Sequence, residues 1–221
     1  MPFEIQVDNQ VAELVFNHPP VNAFTGAMWM ELPGLIESLG QRQDVRCILI
    51  RAEGRGFCAG VDIKELAENS NAIVEVNKGN FLTYKAIHDC EIPVVAAPHS
   101  FVLGGGIGVC GASDAVIAAA DAYFALPEID RGAMGGASHM QRMFPHARVR
   151  AAFLTGGRIT ATEAESLGGI AKQALNGIEP FDVDKSYRWE QGFTFEMYLH
   201  EDSQSARDAF VETGKTAKFE E

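Results

Sequence analysis

The chain has 221 residues, 47% of them hydrophobic and 22% charged, which suits one sizeable core with a small appendage. With 18 Lys+Arg against 30 Asp+Glu the formal charge is -12, a field that repels polyanions and argues against nucleic acid as a partner. A phosphate-bearing ligand must then be met by locally placed cations, for which Lys64, Arg51, Arg55 and Lys78 are candidates.

The opening MPFEIQVDNQ has no basic start or apolar core of a leader, and no apolar run reaches bilayer length. No membrane association and a cytoplasmic location are therefore expected. Cys47, Cys58, Cys90 and Cys110 are scattered without a C-x-x-C spacing and read as reduced thiols. His18, His88, His99, His146 and His200 have no metal-ligand spacing, so no metal is expected.

In chain order, residues 3–7 and 11–16 are short β-rich runs that join at Asp8-Asn9-Gln10 as a hairpin. Apolar residues recur at helical spacing over 26–39, with Pro33 expected to kink this helix or reset its start. Residues 46–51 read as a strand covered on both faces. A glycine-punctuated loop, Glu53 to Gly60, leads into Val61-Asp62-Ile63-Lys64-Glu65-Leu66. A helix over 72–88 and a strand over 92–97 follow, and Ser100 to Gly108 turns from apolar strand through glycines into a small-residue helix. Residues 115–119 and 123–126 read as further strands, the second ending at Pro127-Glu128. Beyond Gly132 the pattern is helical, at 136–144, 147–155, 161–167, 170–178, 182–200 and 203–213. Strands with intervening helices and then helices alone indicate an α/β core, residues 1–168, followed by a helical region, residues 169–221. The tail carries Tyr187, Trp189, Phe193, Phe195, Tyr198 and Phe210, more aromatic surface than one layer needs, and is expected to pack on the core and on another subunit.

A strand that ends in Gly104-Gly105-Gly106 and opens a helix presents unpaired N–H groups at the positive end of the helix dipole, where negative charge is stabilised. A second such donor is available from the Cys58-Ala59-Gly60-Val61 turn if the fold brings the two together, and two donors on one carbonyl oxygen make an oxyanion hole. The same turns also suit tight packing corners that hold no ligand. A dinucleotide site fails on spacing, because Gly104-x-Gly106-x-x arrives at Val109.

The segment Arg51-Ala52-Glu53-Gly54-Arg55-Gly56-Phe57-Cys58-Ala59-Gly60-Val61-Asp62-Ile63-Lys64-Glu65 resembles the crotonase (enoyl-CoA hydratase/isomerase) segment that supplies one oxyanion donor and lines the CoA adenine pocket. Gly104-Gly105-Gly106 is similar to the family's second-donor loop, and Phe124-Ala125-Leu126-Pro127-Glu128 to the segment that presents a catalytic glutamate. The resemblance implies a β/β/α spiral core with a helical C-terminal trimerisation region, a trimer or hexamer, and an acyl-CoA substrate, with coenzyme A present only as part of that substrate. It implies that Val61 and Gly105 donate to the thioester oxygen and that Glu128 moves the proton. It places Ala59, Asp62, Ile63 and Lys64 along the CoA, Val21 and Ala23 of Pro20-Val21-Asn22-Ala23 across from them, and Gly104 and Gly108 at the acyl end. Asp130 lies near an acid that some family isomerases use, but a solvated turn aspartate is the favoured account. Arg131 and His139 are candidates for the acyl pocket, against surface pairing or core hydrogen bonding; Asp62 and Lys64 also suit a helix start.

The sequence departs from the pattern in two places. Family hydratases carry a second glutamate where this chain has Gly108. One carboxylate suffices for double-bond isomerisation, or for hydrolytic opening of a cyclic β-dicarbonyl attached to CoA, with Gly108 leaving room for a ring. The Pro-Pro-Val-Asn-Ala, Gly-Arg-Gly-Phe and Gly-Gly-Gly-Ile-Gly stretches, and the tail from Tyr187 to Glu196, also resemble family members that act on degraded steroid rings. A silent CoA-binding protein on the same fold is the rival from another class. Secondly, Gly168-Gly169 runs directly into Ile170-Ala171-Lys172, where the family usually inserts a strand, a loop and most of a helix. Either a true deletion or an omitted stretch accounts for this junction, and omission is favoured because losing that helix would expose apolar surface; an intact mass near 24.0 kDa marks a true deletion.

Overall fold

The computed structural model describes residues 1–128, 135–167, 187, 191, 192, 194, 198, 199 and 201–213. Strands β1 (Phe3–Asp8) and β2 (Val11–Phe16) form the expected antiparallel hairpin. Then β4 (Cys47–Ala52), β6 (Val94–Ala96) and β8 (Ala115–Val116) add in parallel to give a sheet ordered β1-β2-β4-β6-β8. A short parallel pair, β3 (Ala23–Phe24) with β5 (Gly60–Val61), and a three-stranded sheet stack beside it. The latter is ordered β10-β9-β7, from β7 (Phe101–Leu103), β9 (Tyr123–Ala125) and β10 (Arg158–Thr160). Each pass of the chain contributes one strand to the first sheet and one to a neighbouring sheet, which is the spiral arrangement.

Among the described residues the helices with both ends in view are α1 (Gly26–Gly40), α2 (Ile63–Glu68), α3 (Ala72–His88), α4 (Gly105–Ala112), α5 (Ala137–Gln141), α6 (His146–Thr155), α7 (Ala161–Ser166) and α8 (Glu201–Thr213). The Thr25 side chain caps α1 by accepting from the Met28 amide. Pro33 sits inside this helix without ending it. Proline lacks an N–H, so the carbonyl of Trp29, four residues earlier, loses its helical donor. The buried Thr83 hydroxyl of α3 donates to that carbonyl at 3.1 Å, sparing an unpaired buried acceptor that would cost about 1–3 kcal/mol. The two helices touch where a Cβ on Gly79 would come within 2.7 Å of Trp29. An edge-to-face aromatic chain, Phe3, Phe16, Phe24 and Trp29, fills the space between α1 and the sheets.

Some expectations change. The strands expected at 92–97 and 115–119 shorten to Val94–Ala96 and Ala115–Val116, because only those residues meet a ladder partner. Strand β10 lies between the helices expected at 147–155 and 161–167, where no strand was expected; it exists because Arg158–Thr160 pairs antiparallel with β9. The helix expected at 170–178 lies outside the described residues. Within 182–200, Tyr187, Gln191, Gly192, Thr194, Tyr198 and Leu199 are helical. No helix among the described residues is long and apolar enough to cross a membrane. None of the four cysteines forms a disulfide; Cys58 and Cys110 are buried, Cys47 and Cys90 half-buried.

Candidate active site

The two glycine-bordered turns meet. Leu103 N–H donates to Cys58 O at 2.9 Å, and Cys58 bridges Val102, so the loop entering β5 runs alongside β7 and reaches Gly104 with it. Gly60 has φ +89, and a Cβ there would lie 3.1 Å from the Gly105 amide nitrogen. Only glycine allows this backbone conformation and this approach together. In the β3–β5 ladder Phe24 pairs with Val61, and its carbonyl accepts from Asp62 N–H at 2.9 Å. A residue in a parallel ladder bonds to the neighbours of its partner, so the Val61 N–H turns away from β3. Gly105 opens α4, and its N–H is one of the first-turn amides with no carbonyl inside the helix.

Glu128 arrives at the same place through register. β9 runs parallel to β7 with Ala125 opposite Leu103, so the residues just beyond the two strand ends are neighbours. Gly104, at φ +50, lies so close to the carboxylate that a Cβ would stand 2.5 Å from Glu128 Oε1. The amides of Val61 and Gly105 and the Glu128 carboxylate therefore border one cleft, about 880 Å³ with its mouth included. Its apolar wall comes from Ile63, Leu66, Ile73 and Val76, and its polar groups include Asn77, Asn80 and Tyr84 of α3.

Among the residues expected from the sequence, Ala59, Val61, Ile63, Gly104, Gly105 and Glu128 line this cleft. Val21 and Ala23 lie behind it: the Val21 carbonyl accepts from Ala59 N–H, and Ala23 pairs with Gly60. Asp62 is the N-cap of α2, accepting from Lys64 N–H at 2.9 Å, and the Lys64 side chain is exposed. Arg51 is committed to ion pairs with Glu13 at 2.6 Å and Glu53 at 2.5 Å and is not a spare cation for phosphate. Asp130 and Arg131 lie outside the described residues.

Gly108 requires correction. It leaves no room for a substrate ring, because Tyr84 already fills the space: a Cβ on Gly108 would come 2.5 Å from the Tyr84 hydroxyl oxygen. That hydroxyl shares its proton between Asn80 Oδ1 at 3.0 Å and Gly105 O at 3.2 Å. Burial, reinforced by Tyr187, Cys58 and Glu128 nearby, holds the Tyr84 phenol well above its ordinary range, so it acts as a neutral donor.

His139 is also corrected. It is buried behind the cleft, with its ring 4.7 Å from Tyr84 and 5.2 Å from Tyr187. Burial lowers its pKa to about 3, and the charges of Arg142 and His88 act in the same direction. The folded value lies below the ordinary 6.5, so between these values the unfolded chain holds the extra proton. Stability present above pH 6.5 is lost as pH falls toward about 3, by at most about 1.4 kcal/mol per pH unit for this group. His139→Phe is therefore expected to flatten the pH dependence of urea unfolding between pH 5 and 7 by up to one proton; an unchanged slope would count against a buried neutral imidazole.

The sequence reading missed the polar residues of α3 and the closing residues from the tail. Asn77, Asn80 and Tyr84 recur at helical spacing on the buried face, a signal hidden among the apolar residues there. Tyr187, Thr194, Tyr198 and Arg207 complete the lining. Tyr187 packs on Tyr84 at 5.3 Å, and Tyr198 O–H donates to Leu66 O at 3.0 Å, so these tail aromatics cover their own chain's core.

A family model described as enoyl-CoA hydratase/isomerase matches residues 6–176. A Rhodococcus jostii (strain RHA1) protein named (7aS)-7a-methyl-1,5-dioxo-2,3,5,6,7,7a-hexahydro-1H-indene-carboxyl-CoA hydrolase is 39% identical over 237 positions, covering 93% of this chain and 92% of its own. A Mycobacterium tuberculosis (strain ATCC 25618 / H37Rv) protein of the same name is 37% identical over 233 positions, covering 91% and 94%. Both alignments are longer than the 221-residue chain, so these relatives carry internal residues that it does not. Among solved structures, an enoyl-CoA hydratase/isomerase from Xanthobacter autotrophicus Py2 superposes with a TM-score of 0.85 at 19% identity, covering 97% and 94%. An enoyl-CoA hydratase from Mycobacterium avium subsp. paratuberculosis K-10 does so at 0.83 and 20%, covering 100% and 99%; at such identities the likeness is one of fold. With the paired glycine turns, the glutamate beside them and the family match over most of its length, this chain belongs to the enoyl-CoA hydratase/isomerase family of acyl-CoA enzymes.

Proposed function

We propose that the protein opens a cyclic β-keto acyl-CoA by hydrolysis of a ring carbon–carbon bond, on a fused-ring diketone of the kind named for the Rhodococcus and Mycobacterium relatives. The observation that carries this reading is that Glu128 is the one carboxylate among the described lining residues, while Tyr84 occupies the space beside Gly108. Water addition to a double bond in this family relies on a carboxylate pair, which these residues do not supply.

In the proposed reaction Glu128 takes a proton from water, and the resulting hydroxide oxygen bonds to the ring carbonyl carbon. The tetrahedral intermediate collapses, and the bond from that carbon to the thioester α-carbon breaks. The electron pair passes to the α-carbon and is delocalised onto the thioester oxygen, where the Val61 and Gly105 amides receive it. Each such donor is worth about 2.7–4 kcal/mol at the transition state. Glu128 returns its proton to the α-carbon, and one water has become one carboxylic acid with the thioester intact. The apolar wall of Ile63, Leu66, Ile73 and Val76 suits the hydrocarbon rings of the acyl group.

Within this reading residues 1–168 carry the site and 169–221 close it. A trimer or hexamer belongs to the proposal, supported by the family resemblance and by the exposed Leu154, Leu199 and Val211. A cytoplasmic setting does too, supported by four cysteines outside any disulfide. The test is to incubate the protein with crotonyl-CoA and with a bicyclic diketo acyl-CoA. The expected product is the second substrate plus one water with CoA still attached. Fast hydration of crotonyl-CoA, or release of free CoA thiol, would sink the reading.

A further inference from the structure

Hydrolytic ring opening generates two anionic oxygens, and the paired amides meet only the thioester one. The other begins as the ring carbonyl oxygen, becomes the tetrahedral oxyanion, and ends in the product carboxylate. A group suited to it stands on α8. Arg207 lines the cleft yet is only 7% exposed. Its guanidinium lies 3.7 Å over the Tyr198 ring, and its η nitrogens donate to Ser203 Oγ at 2.6 Å and Tyr198 O at 3.0 Å. These contacts fix the plane of the fork and use two of its five N–H donors, leaving Nε and one hydrogen on each η nitrogen.

Arg207 forms no described salt bridge, its nearest electrostatic carboxylate being the exposed Asp208, and it is the one Lys or Arg among the described lining residues. A guanidinium keeps its charge even when buried, and a buried cation without an anion is costly. Holding one rigidly in the cleft lining, with only Glu128 as a described carboxylate there, therefore leaves an interaction available to a ligand anion. A planar fork suits the two oxygens of a carboxylate.

We infer that Arg207 binds the ring-derived oxygen, stabilising it as the tetrahedral oxyanion and holding it in the carboxylate product. The enzyme then meets its two anions with separate donors: main-chain amides for the thioester enolate, and one tail guanidinium for the oxygen at the other end of the broken bond. The inference rests on the hydrolytic reading above. It also assigns a reason for α8 to pack over the cleft, since without the tail the first anion has no described cation to meet.

The test is calorimetric binding of ω-carboxyacyl-CoAs, from succinyl- to pimeloyl-CoA, against neutral acyl-CoAs of the same chain length. Wild-type protein is expected to prefer the carboxylate of at least one length by about 10- to 100-fold. Arg207→Gln should erase the preference while leaving neutral acyl-CoA affinity within about twofold, and Arg207→Lys should restore part of it. If no length is preferred by the wild type, the inference fails without any variant having to fold. If Arg207→Gln weakens neutral and acidic ligands equally, Arg207 serves the nucleotide end and the inference also fails. Wild-type turnover of the bicyclic diketo acyl-CoA separates the two levels: no ring opening ends the hydrolytic reading, whereas ring opening with the preference unchanged in Arg207→Gln ends this inference alone.

Discussion

Glu128→Gln is expected to reduce ring opening by about 10²- to 10⁴-fold, the range typical of losing a positioned general base. The amide keeps the shape and hydrogen-bonding capacity of the side chain but cannot take a proton from water. The Gly104 turn that cradles Oε1 is undisturbed by an isosteric replacement. Acyl-CoA binding should therefore stay within a few-fold of wild type, with the loss appearing in kcat rather than KM. Single-turnover kinetics beside a binding isotherm of a non-hydrolysed acyl-CoA would check it. Turnover within a few-fold of wild type would remove Glu128 from the mechanism, and a collapse of binding would make it a packing residue.

The second large effect concerns Gly108. Restoring a glutamate there, as family hydratases have, is not expected to create a hydratase, because Tyr84 holds the space. A Cβ would come 2.5 Å from a hydroxyl oxygen that is itself tied to Asn80 and Gly105. Even Gly108→Ala should cost about 1–3 kcal/mol of stability, the usual range for overpacking a filled core, and Gly108→Glu more. Crotonyl-CoA hydration by Gly108→Glu should stay at background. Combining Gly108→Ala with Tyr84→Ala should cost less than the sum of the two single changes, because removing the ring removes the clash. Urea unfolding of the four species reads this coupling directly, and strict additivity would mean that the ring and the glycine do not compete for one space.

These two expectations show where the sequence was readable. The helical apolar period over 26–39, the β-rich run over 11–16 and the apolar run at 46–51 are local signals, and they gave α1, β2 and β4 to within a residue or so. The Gly-Gly-Gly turn and the Cys58–Val61 turn were legible for the same reason, since glycine at a strand end reports a local backbone requirement. The short strands were not. Arg158–Thr160 has one buried side chain and becomes a strand only because β9 offers it an edge.

What the sequence determined by itself was the kind of chemistry: two turns able to offer amides, one glutamate after a strand, and the absence of a second carboxylate at Gly108. The tertiary structure alone decided which groups share the cleft. It put the Tyr84 ring where a substrate ring was expected, sent His139 to the core, and drew Arg207 from some 80 residues beyond Glu128 into the same lining. The physical reason is range. Caps, turns and periodicity act over a few residues, whereas occupancy of a volume and neutralisation of a buried charge depend on which distant segments pack together.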